Sequence, residues 1–148
     1  MKSLLPVRLL YAIAALYDGL LGLAFIVAAP QIFQRVAITP PNHWGYVHFA
    51  AGLLVIFGFL FLQIALRPVE NHGLVLYGFL LKVCYVATVG WHWYHGDVPV
   101  LWKWFAGADV VFALLFLWSL LVLETAAQRD PGRTDPRAVA VILSGHSL

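Results

Sequence analysis

Along the chain, long apolar runs alternate with short polar breaks. Four such runs stand out, over residues 9–29, 46–66, 73–93 and 100–123. At about 1.5 Å of helical rise per residue, each covers the roughly 30 Å hydrocarbon core of a bilayer. The apolar positions are continuous rather than alternating, which argues against membrane strands. The breaks "RPVENH" and "HGDVP" are too short for anything but a tight reversal. The pattern therefore predicts an all-α integral membrane protein, an up-down four-helix transmembrane bundle occupying residues 1–124. The longest connection contains "QIFQRVAITPPNHWG". There, residues 31–38 are expected to lie as a short amphipathic turn in the interface, stopped by Pro40 and Pro41.

Composition agrees with a bilayer as the solvent. With 62% hydrophobic residues, 11% charged residues and a mean hydropathy of +0.85, too little polar surface exists to coat a soluble domain. Lys2 and Arg8 ahead of the first run suggest a signal peptide. That run is longer than the usual 7–15 residue apolar region of such peptides and holds Asp18, so it is read as a retained span. Lys2, Arg8, Arg67, Arg129, Arg133 and Arg137 fall on one side, against Arg35 and Lys103 on the other. This bias predicts that both termini are cytoplasmic. The net charge of +2 is then a topology signal and calls for no nucleic-acid partner. Residues 125–148, with "AAQRDPGRTDPR", are expected to form a disordered cytoplasmic tail. Cys84 is the single cysteine, so no internal disulfide can form.

Three charges interrupt the runs: Asp18 in "ALYDGLLG", Lys82 in "GFLLKVCY" and Asp109 in "FAGADVVFA". A charge at such a depth costs at least about 2.5 kcal/mol, so partners are expected. Small residues sit on the same helical face as each, including Ala14 and Gly22, Gly78, and Ala106 and Ala113, which turns these faces toward the bundle. Asp18 and Lys82 lie level, each about 14 Å in from the basic side, and lean the same way along their helices. Lys82 is therefore expected to pair first with Asp18. Asp109 leans toward the other side and, as the carboxylate left over, is expected to be protonated and to donate a hydrogen bond to Tyr85 or His48. The set either fixes helix register or forms a proton or ligand site.

The side opposite the basic flanks collects His43, His48, His92 and His95 with Trp44, Trp91, Trp93, Trp102 and Trp104. Tryptophans favour membrane interfaces. The histidines, with Trp91, Trp93 and Trp102, make a candidate ligand-binding outer rim. His48, His92 and His95 are a weak alternative set for zinc, copper or haem, because the spacing of His92 and His95 is unsupported by cysteine or by an HExxH motif. No metal or other cofactor is expected. Neither a glycine-rich phosphate loop nor a GxSxG motif occurs, and Ser119 has no neighbouring base in the sequence, so catalysis is not expected.

The segments "PPNHWGYVHF", "LYGFLLKVCY" and "VPVLWKWFAGADVVF" resemble a family of small bacterial four-span membrane proteins. The likeness covers residues 9–123 and is similar in topology to DoxX-like proteins. It is one of topology alone, since residues 53–66 lack the acidic residue expected in the second helix of that group. It implies a multi-pass protein of the bacterial inner (cell) membrane and brings no reaction with it. The functional expectation is a non-catalytic accessory subunit or a binder of a lipid-like hydrophobic ligand. Its partners would be membrane lipid, a membrane protein or a second copy of itself. Two alternatives stay open: a small proton-linked transporter using Asp18, Lys82 and Asp109, and a redox protein with haem or quinone near His48 and His92.

Overall fold

The computed structural model describes residues 4–128. Among them the long elements are α1 (Leu5–Arg35), α2 (Gly45–Leu66), α3 (Val75–His95) and α4 (Val100–Gln128), with a 3-10 turn at His72–Leu74 leading into α3. No strand occurs among the described residues, and all four helices are long and apolar enough to cross a membrane. The fold is the expected all-α bundle of a multi-pass membrane protein. Propensity does not explain it, because α2 is crowded with Val, Ile, Phe and Gly, which form helices poorly in water. In hydrocarbon every backbone N–H and C=O must bond within its own segment, and the helix follows from that. Exposed hydroxyls obey the same rule. Thr88 and Thr125 each donate to the carbonyl one turn back, of Cys84 and Leu121, at 2.8 Å.

Two helix ends differ from the sequence reading. Helix α1 continues to Arg35 although Pro30 lies inside it. The proline lacks an N–H and crowds the preceding turn, and the helix bends at Ala28 (φ −131°, ψ 22°) instead of stopping. It ends where Ala37 adopts φ 52°, with Ile38 N–H bonded to the Phe33 carbonyl at 3.0 Å and Ala37 N–H to that of Gln34 at 3.3 Å. This is a Schellman closure with alanine in the usual glycine position. Most of residues 31–38 therefore belongs to α1 rather than to a separate interfacial turn. Helix α4 likewise takes residues 125–128 from the expected tail, and the remainder of that tail, 129–148, lies outside the described residues.

The helices pack as two hairpins. A Cβ on Gly22 would stand 2.5 Å from the Ala51 carbonyl oxygen, and one on Gly58 would stand 3.0 Å from the Gly19 Cα, so α1 and α2 cross nearly backbone to backbone. Helices α3 and α4 form the second hairpin. Between the hairpins the backbones stand farther apart, and large side chains bridge the seam. Toward the basic end, where α1 begins, Tyr11 stacks on Phe116 at 4.9 Å between ring centroids, and Phe61 lies 5.1 Å from Phe116. Gly78 leaves room for the Phe61 ring. Ser119 donates to the Phe116 carbonyl at 2.8 Å, so its oxygen is left to accept from the Tyr11 hydroxyl at 2.7 Å. Toward the aromatic end, a second cluster joins Phe25 and Phe33 to Trp44 and Trp102. The charged residues lie between these two apolar layers.

Candidate functional site

Helix α1 places Asp18 four residues beyond the buried Ala14 and four before the buried Gly22, on the stripe that faces the bundle. Helix α3 places Lys82 four residues beyond the buried Gly78, and α4 places Asp109 four residues before the buried Ala113. Their residues retain 0%, 1% and 6% of their full exposure, respectively. Lys82 Nζ donates to both oxygens of Asp18, at 2.7 and 2.8 Å, reaching across the seam between the hairpins. Within its own hairpin, the same nitrogen lies 3.0 Å from Asp109 Oδ1. That second contact is a single ion-pair contact, whereas Asp18 takes two hydrogen bonds from the same ammonium. The rings of Tyr17, Phe112 and Phe61 surround the ammonium with centroids 5.3, 5.5 and 5.9 Å away. Rings around a desolvated cation add cation–π attraction of up to about 2 kcal/mol each at best. Lys82 is thus held in the bundle centre by charge, hydrogen bonds and aromatic faces together.

The expected hydrogen bond from Asp109 to Tyr85 or His48 is not formed. Asp109 faces Lys82, the Tyr85 hydroxyl is buried without a partner, and His48 is on the exposed face of α2. The Tyr17 hydroxyl is also buried and unpartnered. Tyr17 did not stand out in the sequence, since a Tyr in an apolar run is read as interface or core. The same holds for the bond between Tyr11 and Ser119, which has a tyrosine and no base beside the serine.

The outer-rim residues do not assemble into one site. His43 accepts a hydrogen bond from Gly45 N–H at 3.0 Å and serves the start of α2. His95 is bonded through Nδ1 to the Trp91 carbonyl oxygen at 2.8 Å, with its ring 4.2 Å from that indole. His48 and His92 are exposed, as are Trp91 and Trp93, whereas Trp102 turns inward against Phe25 and Phe33. Lys103 extends over Trp93, 4.6 Å from its ring, and meets Asp97 at 3.3 Å. Among the described residues, no group of three His, Cys, Asp or Glu side chains could hold a metal ion, so the alternative set His48, His92 and His95 is not brought together.

Two open concavities were not visible in the sequence. One, of about 520 Å³, lies at the aromatic end between residues 36–39 and the start of α4, where Asp97, Pro99 and Trp104 line it. The other, of about 280 Å³, is a groove on the membrane-facing side of α3 and α4. Phe79, Val83, Val86, Ala87, Val110 and Leu114 line it with Ala113 at its floor, at the depth of Lys82 and Asp109. Both grooves are shallow and open. Comparison of the chain with family models, with curated proteins and with solved structures finds no match in any of the three.

Proposed function

We propose that this chain is a non-catalytic multi-pass protein of the bacterial inner membrane, with both termini cytoplasmic, that binds a lipid-like molecule. In this reading one apolar chain of a membrane lipid lies along α3 and α4, and the protein acts as an accessory or lipid-presenting component. The DoxX-like layout is part of the same proposal. The observation that carries it is the groove of about 280 Å³ between α3 and α4. It lies at the level of Lys82 and Asp109 and is lined entirely by apolar side chains, so in a bilayer it would face hydrocarbon rather than water. Burial of an acyl segment there removes groove voids at little desolvation cost. The acid–base groups support the reading from the other direction: Asp18 and Lys82 are sealed from solvent, and the histidines are scattered.

The test is retention of lipid by the purified protein. Native mass spectrometry after detergent extraction is expected to show a lipid-mass adduct on the parent. Ala87→Trp, which fills the groove from its exposed rim, is expected to reduce that adduct at least several-fold while leaving the helical circular dichroism unchanged. A parent free of lipid, or an adduct insensitive to Ala87→Trp, would defeat the reading.

A further inference from the structure

We propose that Asp109, with the hydroxyls of Tyr17 and Tyr85, forms a proton-binding site in the centre of the bundle. It stands independently of the lipid reading, since it concerns the interior of the helix pairs and not the groove outside them.

The first argument is charge balance. Two carboxylates, Asp18 and Asp109, lie within 3.0 Å of one ammonium. Both ionised, they leave the layer with one net negative charge in a low-dielectric interior, where an uncompensated charge is costly. No second described cation is near to cancel it. Arg8 and Arg35 are exposed toward the two ends of α1, Arg67 pairs with Glu70, and Lys103 pairs with Asp97. The cluster is faced by Tyr17 and Asp18 from α1, Lys82 and Tyr85 from α3 and Asp109 from α4. Helix α2 brings the Phe61 ring to it, with no titratable group. One proton restores neutrality.

The second argument decides where that proton resides. Both Asp18 oxygens accept hydrogen bonds from Lys82 and are committed as a carboxylate. Asp109 Oδ1 has only the single 3.0 Å contact with the Lys82 ammonium, and the Tyr17 and Tyr85 hydroxyl oxygens are buried with no partner. These three oxygens come from three helices, and the Asp109 carboxylate lies within electrostatic reach of both phenols. Buried polar atoms are seldom left unpaired, and unpaired ones are costly in a membrane. When the Asp109 carboxylate takes up H⁺ from a hydronium ion, one O–H bond forms on the carboxylate, one O–H bond of the hydronium breaks, and water leaves. The three oxygens are not in hydrogen-bond contact in this structure, so a side-chain rotation must accompany proton uptake for the neutral acid to donate to a phenol oxygen. The structure thus holds a site whose charge deficit and whose unused acceptors coincide.

The experiment is infrared spectroscopy of the full chain in lipid vesicles, scanned from mildly acid to mildly alkaline buffer. Parent protein is expected to show a protonated-carboxyl band at neutral pH that is lost in Asp109→Asn. In Tyr17→Phe or Tyr85→Phe the band should persist at a shifted frequency, since the acid loses a hydrogen-bond partner. Parent protein with isotope-labelled aspartate separates aspartate bands from glutamate bands without needing a variant to fold. Absence of an acid band at neutral pH in the labelled parent would overturn the proposal. So would a band that survives in Asp109→Asn, or one whose frequency ignores both tyrosine changes.

Discussion

Lys82 touches two aspartates at once, so the order in which the three residues are changed is informative. Lys82→Met strands the Asp18 carboxylate and removes the cation beside Asp109, whereas Asp18→Asn leaves the lysine beside Asp109, which can release its proton to pair with it. Breaking a buried pair by removing one partner costs about 3–5 kcal/mol. Lys82→Met is expected to reach that range and Asp18→Asn to cost less. Asp18→Asn should cost less still in the Lys82→Met background than in the parent. Thermal or denaturant unfolding in one detergent measures all three, and strictly additive losses would mean that the pair carries no coupling. At this scale, legibility in the sequence follows from rarity. A lysine or aspartate inside an apolar run is conspicuous, and Asp18, Lys82 and Asp109 could be named from the chain alone. Tyr11 and Tyr17 could not, and Tyr85 and Ser119 could be named but not placed, because hydroxyls are common in helices and only the folded seam shows which are paired and which are left without a partner.

Among the elements, the tightest contact is the crossing of α1 and α2 at Gly22 and Gly58. The nearest atoms there are backbone, which cannot rotate aside. Gly22→Ala is expected to cost about 1–3 kcal/mol by overpacking. Gly52→Ala on the same helix pair, where a Cβ meets nothing within 4 Å, should be neutral or stabilise by up to about 1 kcal/mol. Unfolding midpoints of the two variants make the comparison, and equal effects would show that the close crossing does not matter for stability. The existence of four spans was readable because their length matches a bilayer. Their ends were harder, and Pro30 shows why. In water a proline in that position argues for a stop, but in α1 the neighbouring turns absorb it and the helix runs on to Arg35. The termination depends instead on the left-handed Ala37, and alanine carries no sequence signal for that conformation.

For the whole molecule, the described basic residues divide evenly between the two ends, and the bias that sets the proposed orientation comes from Lys2, Arg129, Arg133 and Arg137 in the sequence. Arg8 and Arg67 sit at one end of the bundle, Arg35 and Lys103 at the other. The proposed orientation, with the α1–α2 connection outside, is tested by cysteine labelling in a Cys84→Ser background. A cysteine at the exposed Asn42 is expected to react with an impermeant maleimide on intact cells, and one at the exposed Glu70 only after the membrane is opened. The reverse pattern would invert the proposed topology. Architecture was legible at this scale because an apolar coat all round has few soluble alternatives, while the grooves depend on how far apart helices settle and left no mark on the sequence. The two-hairpin arrangement has a consequence for biogenesis. The α1–α2 half emerges from the ribosome first, and its backbone crossing can form without help from the rest of the chain. Asp18 then waits in the bilayer for a counter-charge that has not yet been synthesised, at a cost of about 2.5–3.5 kcal/mol on insertion scales. Lys82 enters some sixty residues later, in a hairpin that also brings Asp109 to its side. The meeting of the hairpins gives Asp18 its counter-charge, so the charge that makes the first half a poor membrane citizen also favours its joining the second.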